Sequence, residues 1–146
     1  MKHLVLKLPA HYGLFALRLV VGSCMIYNHG YGKILKFASF KEIIFLNLFN
    51  LGPSTSLFLA VCTEILCSIL IIIGLYTRMA LIPLFTTMLA AIFLVHSNDS
   101  LRQQEKAILY GVSYIALFLT GPGKLSIDAY LKKTSFNSIP KNENIN

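Results

Sequence analysis

The sequence predicts an all-α fold: a four-helix transmembrane bundle with a short interfacial helix between helices 1 and 2. Apolar residues make up 55% of the 146-residue chain and charged residues only 13%, whereas about a quarter of an average soluble domain is charged. Mean hydropathy is +0.67, and no block of different composition could form a second domain. We therefore expect residues 1–134 to form one membrane domain and residues 135–146 a disordered polar tail.

Four apolar runs approach the length of about 20 residues that crosses about 30 Å of hydrocarbon. They lie at about residues 12–30, 57–76, 79–96 and 105–121. Gly74 and Arg78 mark a tight hairpin between the second and third runs. The fourth run spans if its helix starts at the polar residues near Glu105, and Gly121-Pro122-Gly123 ends it.

The segment between the first two runs is basic and then apolar. It carries Lys33, Lys36 and Lys41, followed by IIFLNLFNLG. Asn47 and Asn50 interrupt this last part, which is too short to span, so it is predicted to be an interfacial helix that covers one mouth of the bundle.

The Lys and Arg residues set the predicted orientation. Seven of them fall on the face that holds both termini and five on the other, which places both termini in the cytoplasm. The net charge is +7, but the basic residues form no soluble module. Membrane lipid is therefore the expected partner, and nucleic acid is not.

Ionisable residues at membrane depth are the candidate functional groups, because each is costly there unless it is paired or faces a polar interior. Arg18 and Glu64 lie on different helices at depths that differ by about 10 Å, a gap that their side chains nearly bridge. Glu64 lies between Arg18 and His29 in depth and could pair with either. Either Arg18 holds Glu64 ionised within a site, or the two form a structural ion pair that fixes helix register.

Polar groups are predicted to gather in the outer half of the bundle. Arg18, Gly22, Met25, His29 and Lys33 follow helical spacing on one face of the first helix. His96 and Glu105 reach the same depth as His29 and Lys33 from the third and fourth helices.

Imidazoles beside a carboxylate can move protons near neutral pH, as a quinone or thiol substrate would require. The predicted catalytic residues are His29, Glu64, His96 and Glu105, and Arg18, Met25 and Lys33 are the predicted ligand-binding residues. The alternative is that the polar residues only extend to water at the interface. Arg78 and Asp128 are interpreted as a structural ion pair between the hairpin and the C-terminal segment.

The cysteines indicate no cofactor. Cys24, Cys62 and Cys67 form neither a CxxC pair nor a metal-ligand spacing, and the chain has no glycine-rich dinucleotide motif. We expect no metal and no covalently bound cofactor. A partner redox enzyme would then carry the electrons.

The ordered set FALRLVVG, HGYGK, LIIIGLYTR, His96, Glu105 and GPGKLSIDAYL resembles the DoxX family of small four-helix membrane proteins. The resemblance runs from about Leu14 to Leu131. Lys124 stands where members often carry arginine. The family's recurring polar and glycine positions correspond to Arg18, His29, Gly30, Lys33, Glu64, Gly74, Arg78, His96, Glu105, Gly121, Gly123 and Asp128.

The resemblance implies a bacterial plasma (inner) membrane location and, by analogy, a redox role. The family is named for its similarity to a membrane subunit of a thiosulfate:quinone oxidoreductase, and some members are linked to thiol-oxidant defence. The leading hypothesis is a membrane component of a quinone-linked oxidoreductase or thiol-redox system that binds a quinone-like molecule. The alternative is a non-catalytic scaffold for a partner redox enzyme. A transporter would require a homo-oligomer, since the chain has no internal repeats.

Overall fold

A computed structural model describes residues 9–39 and 50–137, with side chains as far as residue 134. This part of the chain is helical and contains no strand, which confirms the predicted all-α fold. Its helices are α1 (Ala10–Ala38), α2 (Pro53–Ile73), α3 (Thr77–Val95), α4 (Leu101–Thr120) and α5 (Ile127–Asn137).

The first four helices form a bundle in which α1 packs on α2, α2 on α3, α3 on α4, and α4 on α1. Glycines bring α1 and α2 close together. A Cβ atom on Gly22 would lie 2.6 Å from a side-chain carbon of Ile72, and one on Gly30 would lie 2.7 Å from a side-chain carbon of Ile65. The interior is packed with Val21, Met25, Ile71, Ala80, Leu81, Leu84, Met88, Ala107, Tyr114 and Leu117.

Three helices of the described residues, α1, α2 and α3, are long and apolar enough to cross a membrane. Helix α4 has 20 residues, but its first turns carry Arg102, Glu105 and Lys106, and the fourth span stays a prediction. Exposed Tyr12 and Tyr31 lie near the two ends of α1. They are 19 residues apart, or about 28 Å of helix, which is the spacing of the two aromatic belts at membrane interfaces.

Two turns at the end of the bundle that holds the predicted hairpin match the sequence prediction. Helix α2 ends at Ile73, and Gly74 caps it with a φ of 73°, in the left-handed region that glycine favours. Tyr76 then precedes α3 and completes the predicted hairpin. Helix α4 ends at Thr120, and both Gly121 and Gly123 have positive φ, so this segment stops the helix as expected.

Several element bounds differ from the predicted ones, and one predicted element is not described. Helix α1 continues eight residues beyond the predicted end to Ala38, because the chain has no helix breaker there strong enough to end it. The predicted interfacial helix lies largely in residues 40–49, outside the described residues. Helix α5 continues to Asn137, and the rest of the predicted polar tail is also outside them.

Each of the helices α1, α2 and α3 contains one π-helical turn: Ile26–Gly30, Thr63–Cys67 and Ala91–Val95. Such single turns are often found at functional sites. The first contains His29, the second contains Glu64, and the third ends directly before His96. The turns in α1 and α2 also contact each other. The three irregular turns therefore coincide with three of the predicted catalytic residues.

Candidate functional site

A cleft of about 290 Å³, here called the outer cleft, opens among the four helices near the π-helical turns. His29, Lys33, Glu64 and His96 all line it. Three of the residues predicted to gather in the outer half of the bundle, His29, Lys33 and His96, thus line one cleft together with Glu64, whereas Glu105 does not. Other lining residues are Ala60, Thr87, Met88, Ala90, Ala91, Val95, Gln103, Lys106 and Ala107.

An ion pair between Lys33 and Glu64 forms one wall of the outer cleft. The Lys33 Nζ atom donates a hydrogen bond to Glu64 Oε1. The Glu64 side chain is only 2% exposed, whereas that of Lys33 is 24% exposed, so the lysine reaches inward to a buried carboxylate. The second oxygen, Glu64 Oε2, is buried and has no hydrogen-bond partner among the described residues. Buried acceptors are nearly always hydrogen-bonded, so a polar ligand or a water molecule is the expected donor to this oxygen.

His29 lies in the wall between helices α1 and α4. Its ring packs edge-on against Tyr110, with the ring centroids 5.5 Å apart. Tyr110 in turn lies 6.1 Å from Tyr114, ring centre to ring centre. The Nε2 atom of His29 is buried without a hydrogen-bond partner in the described part of the chain. The imidazole is therefore held by ring packing and keeps one nitrogen available to a ligand.

His96 is positioned by the loop that joins α3 to α4. Its Nδ1 atom lies 2.5 Å from a carboxylate oxygen of Asp99, and its backbone carbonyl accepts a hydrogen bond of 2.7 Å from the Gln104 side chain. A capping interaction between Ser100 and Gln103 starts α4 beside it. These contacts fix the imidazole at the mouth of the outer cleft.

Besides Arg18, two predicted site residues lie outside the outer cleft. Glu105 is exposed and faces a separate concavity with Arg102. Successive residues of a helix point about 100° apart, and its neighbour Lys106 lines the outer cleft instead. Met25 is completely buried in the hydrophobic core. Neither residue contributes to the lining of the outer cleft.

The predicted pair between Arg18 and Glu64 is wrong. Glu64 binds Lys33, and Arg18 binds backbone carbonyls near the hairpin instead. The Arg18 guanidinium donates to Ile71 O at 3.4 Å and to Leu125 O. Ile71 is seven residues beyond Glu64, or about 10 Å along the helix, so the two terminal nitrogens of the guanidinium bind nearer acceptors, while Arg18 Nε is buried without a hydrogen-bond partner among the described residues. The fully buried Arg18 thus ties α1 to the end of α2 and to the C-terminal segment.

The predicted ion pair between Arg78 and Asp128 is also corrected. The Asp128 carboxylate accepts hydrogen bonds from the backbone N–H groups of Tyr76 and Thr77, at 2.8 and 2.9 Å. The Arg78 guanidinium lies over the Phe118 ring, 5.9 Å from its centre. Asp128 therefore does clamp the C-terminal segment to the hairpin. Its partners are backbone N–H groups at the start of α3, which have no acceptor within the helix, and not the Arg78 side chain.

Acid is expected to release this clamp. Partial burial raises the pKa of Asp128, but the hydrogen bonds from Thr77 and Tyr76 and the charge of Lys132 outweigh that effect and lower the pKa below its usual range. The bonded carboxylate thus stabilises the folded state above pH 3.8, the ordinary pKa of Asp128, and this contribution is lost as pH falls through the lower folded pKa.

We predict that Asp128→Asn lowers stability by about 1 kcal/mol at neutral pH. It should also flatten the loss of stability below about pH 4. Unfolding in detergent, measured at several pH values, tests both effects. An unchanged acid profile in Asp128→Asn would contradict the clamp.

Sequence reasoning missed several polar groups of the bundle interior. Ser68 is fully buried one turn beyond Glu64, and its hydroxyl has no partner among the described residues. Lys106 and Tyr114 were also missed; they lie eight residues apart on α4, on either side of Tyr110. That spacing puts them on one face and was the signal that could have identified them.

Comparison with known proteins identifies one family. The DoxX family model matches residues 13–97, which is more than half of the chain and includes His29, Lys33, Glu64 and His96. The comparisons with curated proteins and with solved structures return no match.

Proposed function

The chain belongs to the DoxX family of integral membrane proteins, and from that premise we propose that it is the membrane component of a quinone-linked oxidoreductase or thiol-redox system. The outer cleft is the proposed site for a quinone-like molecule. The observation that carries this proposal is the combination of a buried carboxylate–ammonium pair and two imidazoles in a cleft with apolar walls.

The polar groups of the cleft match the needs of a quinone. Reduction of a quinone to a hydroquinone adds two electrons and two protons, and each carbonyl oxygen becomes a hydroxyl. His29 has a ring nitrogen available for one carbonyl oxygen, and the Lys33–Glu64 pair offers a proton-carrying group for the other. The proposed role of the chain is to bind the ring and to deliver protons to it.

The size and lining of the cleft support an apolar ring as the ligand. Its volume of about 290 Å³ is at the lower limit of small-molecule sites, which begin near about 300 Å³. Ala60, Ala91, Met88 and Val95 supply apolar contact. A quinone head group suits this space, and its isoprenoid tail would remain in the lipid between the helices.

The electrons would come from a partner redox enzyme, since this proposal assigns only ring binding and proton transfer to the chain. The proposed location is the bacterial plasma membrane with both termini in the cytoplasm. The outer cleft would then lie toward the opposite face, and the partner would reach the quinone from there or through the membrane.

Binding of a quinone analogue to the Glu64→Gln variant tests the proposed site. The protein in lipid nanodiscs should bind short-chain ubiquinone or menaquinone analogues, and Glu64→Gln should weaken binding about tenfold or more, because a hydrogen bond to a charged group contributes about 1.5–3 kcal/mol. Glu105→Gln is the matched control, since it removes the same charge outside the cleft. Equal affinities of the two variants would refute the site.

The scaffold alternative predicts a different outcome. A variant with both His29→Ala and His96→Ala should lose quinone binding if the cleft is the site. A scaffold would tolerate both substitutions and would still co-purify with its redox enzyme. Thermal unfolding of the double variant in detergent shows whether the bundle remains folded, so that loss of binding is not mistaken for loss of fold.

A further inference from the structure

A second concavity, here called the lateral groove, lies between α1 and α4 on the outside of the bundle and has a volume of about 460 Å³. It is amphipathic along its length. Asn28, His29 and Lys106 form its polar end, and Val20 and Val21 form its mainly apolar end. The Ser113 hydroxyl also lines the groove but donates its hydrogen bond to Leu109 O of its own helix, at 2.8 Å. His29 and Lys106 also line the outer cleft, so they form the wall between the two spaces.

The polar end of the groove lies at the level of the membrane interface. His29 is 19 residues from the start of α1 at Ala10, or about 28 Å along the helix, close to the thickness of the hydrocarbon core. The side chains of Tyr27 and Tyr31 are exposed at the same level, as is typical of residues at an interface. The apolar end would therefore face acyl chains and the polar end head groups.

Lys106 supplies a cation at this polar end. Its side chain is exposed, and no salt bridge to it is found among residues 9–39 and 50–134. The neighbouring carboxylate of Glu105 lines a separate concavity, which adjoins the groove at Leu109. A lysine at the interface, open to a groove with an apolar continuation, complements an anionic head group attached to an acyl chain.

We propose that the lateral groove binds an anionic phospholipid, with its phosphate at Lys106 and Asn28 and an acyl chain along Val20 and Val21. The bound phosphate would then lie against the wall of the outer cleft. This inference does not depend on the proposed quinone site, and its test uses no quinone.

Native mass spectrometry of the purified full chain, after incubation with equal amounts of phosphatidylglycerol and phosphatidylcholine in detergent, tests the proposal. The protein should retain phosphatidylglycerol in preference. Lys106→Gln should reduce this preference about fivefold, because one basic residue near a membrane contributes about that factor of attraction to anionic lipid. Arg102→Gln removes the same charge one turn away but outside the groove, and it should leave the preference unchanged.

Three outcomes would overturn the proposal. Equal retention of the two lipids by the unaltered protein would show that the groove does not select charge. Equal losses in Lys106→Gln and Arg102→Gln would show that general surface charge attracts the lipid. Displacement of the lipid by millimolar inorganic phosphate would show a phosphate site without an acyl-chain contribution, whereas retention of the lipid supports the groove.

Discussion

Replacing Gly74 with alanine is expected to destabilise the protein by about 3–5 kcal/mol. Alanine in the left-handed conformation costs about 1–2 kcal/mol, and Gly74 has a φ of 73°. The added Cβ atom would also lie 1.9 Å from Arg18 Nη1 and 2.5 Å from Ser126 Cβ. The arginine would have to leave its carbonyl acceptors, and each hydrogen bond to a charged group contributes about 1.5–3 kcal/mol.

Gly32→Ala is the matched control for this prediction. Gly32 lies within helix α1, and a Cβ atom built on it has no heavy atom within 4 Å. Alanine there should be neutral or stabilise the helix by up to about 1 kcal/mol. SDS-induced unfolding, followed by circular dichroism, measures both variants. Similar midpoints for Gly74→Ala and Gly32→Ala would contradict the close contact of Arg18 with the hairpin.

The sequence was sufficient to predict features that depend on spacing along one helix or on a single turn. Gly74 and Gly121 identify chain reversals because only glycine adopts their positive φ without strain. His29, Glu64 and His96 line one cleft because antiparallel runs of similar length bring these positions toward the same half of the bundle. Both arguments need only the helical rise and the order of the runs.

The ion-pair partner of Glu64 could not be predicted in this way. Whether Glu64 meets Arg18 or Lys33 depends on a few ångströms of side-chain reach and on the rotation of each helix about its axis. The π-helical turns at Ile26–Gly30 and Thr63–Cys67 change that rotation locally. The residue pattern did not predict these turns. Glu105 was misplaced for the same reason, since a rotation of one residue exchanges it with Lys106.

Replacing Lys33 with methionine is expected to cost about 3 kcal/mol, since it leaves the carboxylate of Glu64 buried and without its cation. Glu64 as a whole residue is only 1% exposed, so water cannot easily replace the lost ammonium group of Lys33. The double variant Lys33→Met with Glu64→Gln should recover most of this stability, because it removes both charges together. Lys36→Met is the control, since Lys36 is exposed on the same helix and its loss should change stability by less than about 0.5 kcal/mol.

The same set of variants separates stability from binding. If Lys33→Met and the double variant unfold at the same SDS concentration, the unpaired charge of Glu64 is not what destabilises Lys33→Met, and the prediction fails. If the double variant recovers its fold, its quinone affinity becomes informative. If the cleft binds a quinone, the ammonium of Lys33 and the carboxylate of Glu64 contact the ligand, so the affinity of the double variant should stay low even though its stability is recovered. A scaffold needs only a stable bundle, so the double variant should keep its scaffold function.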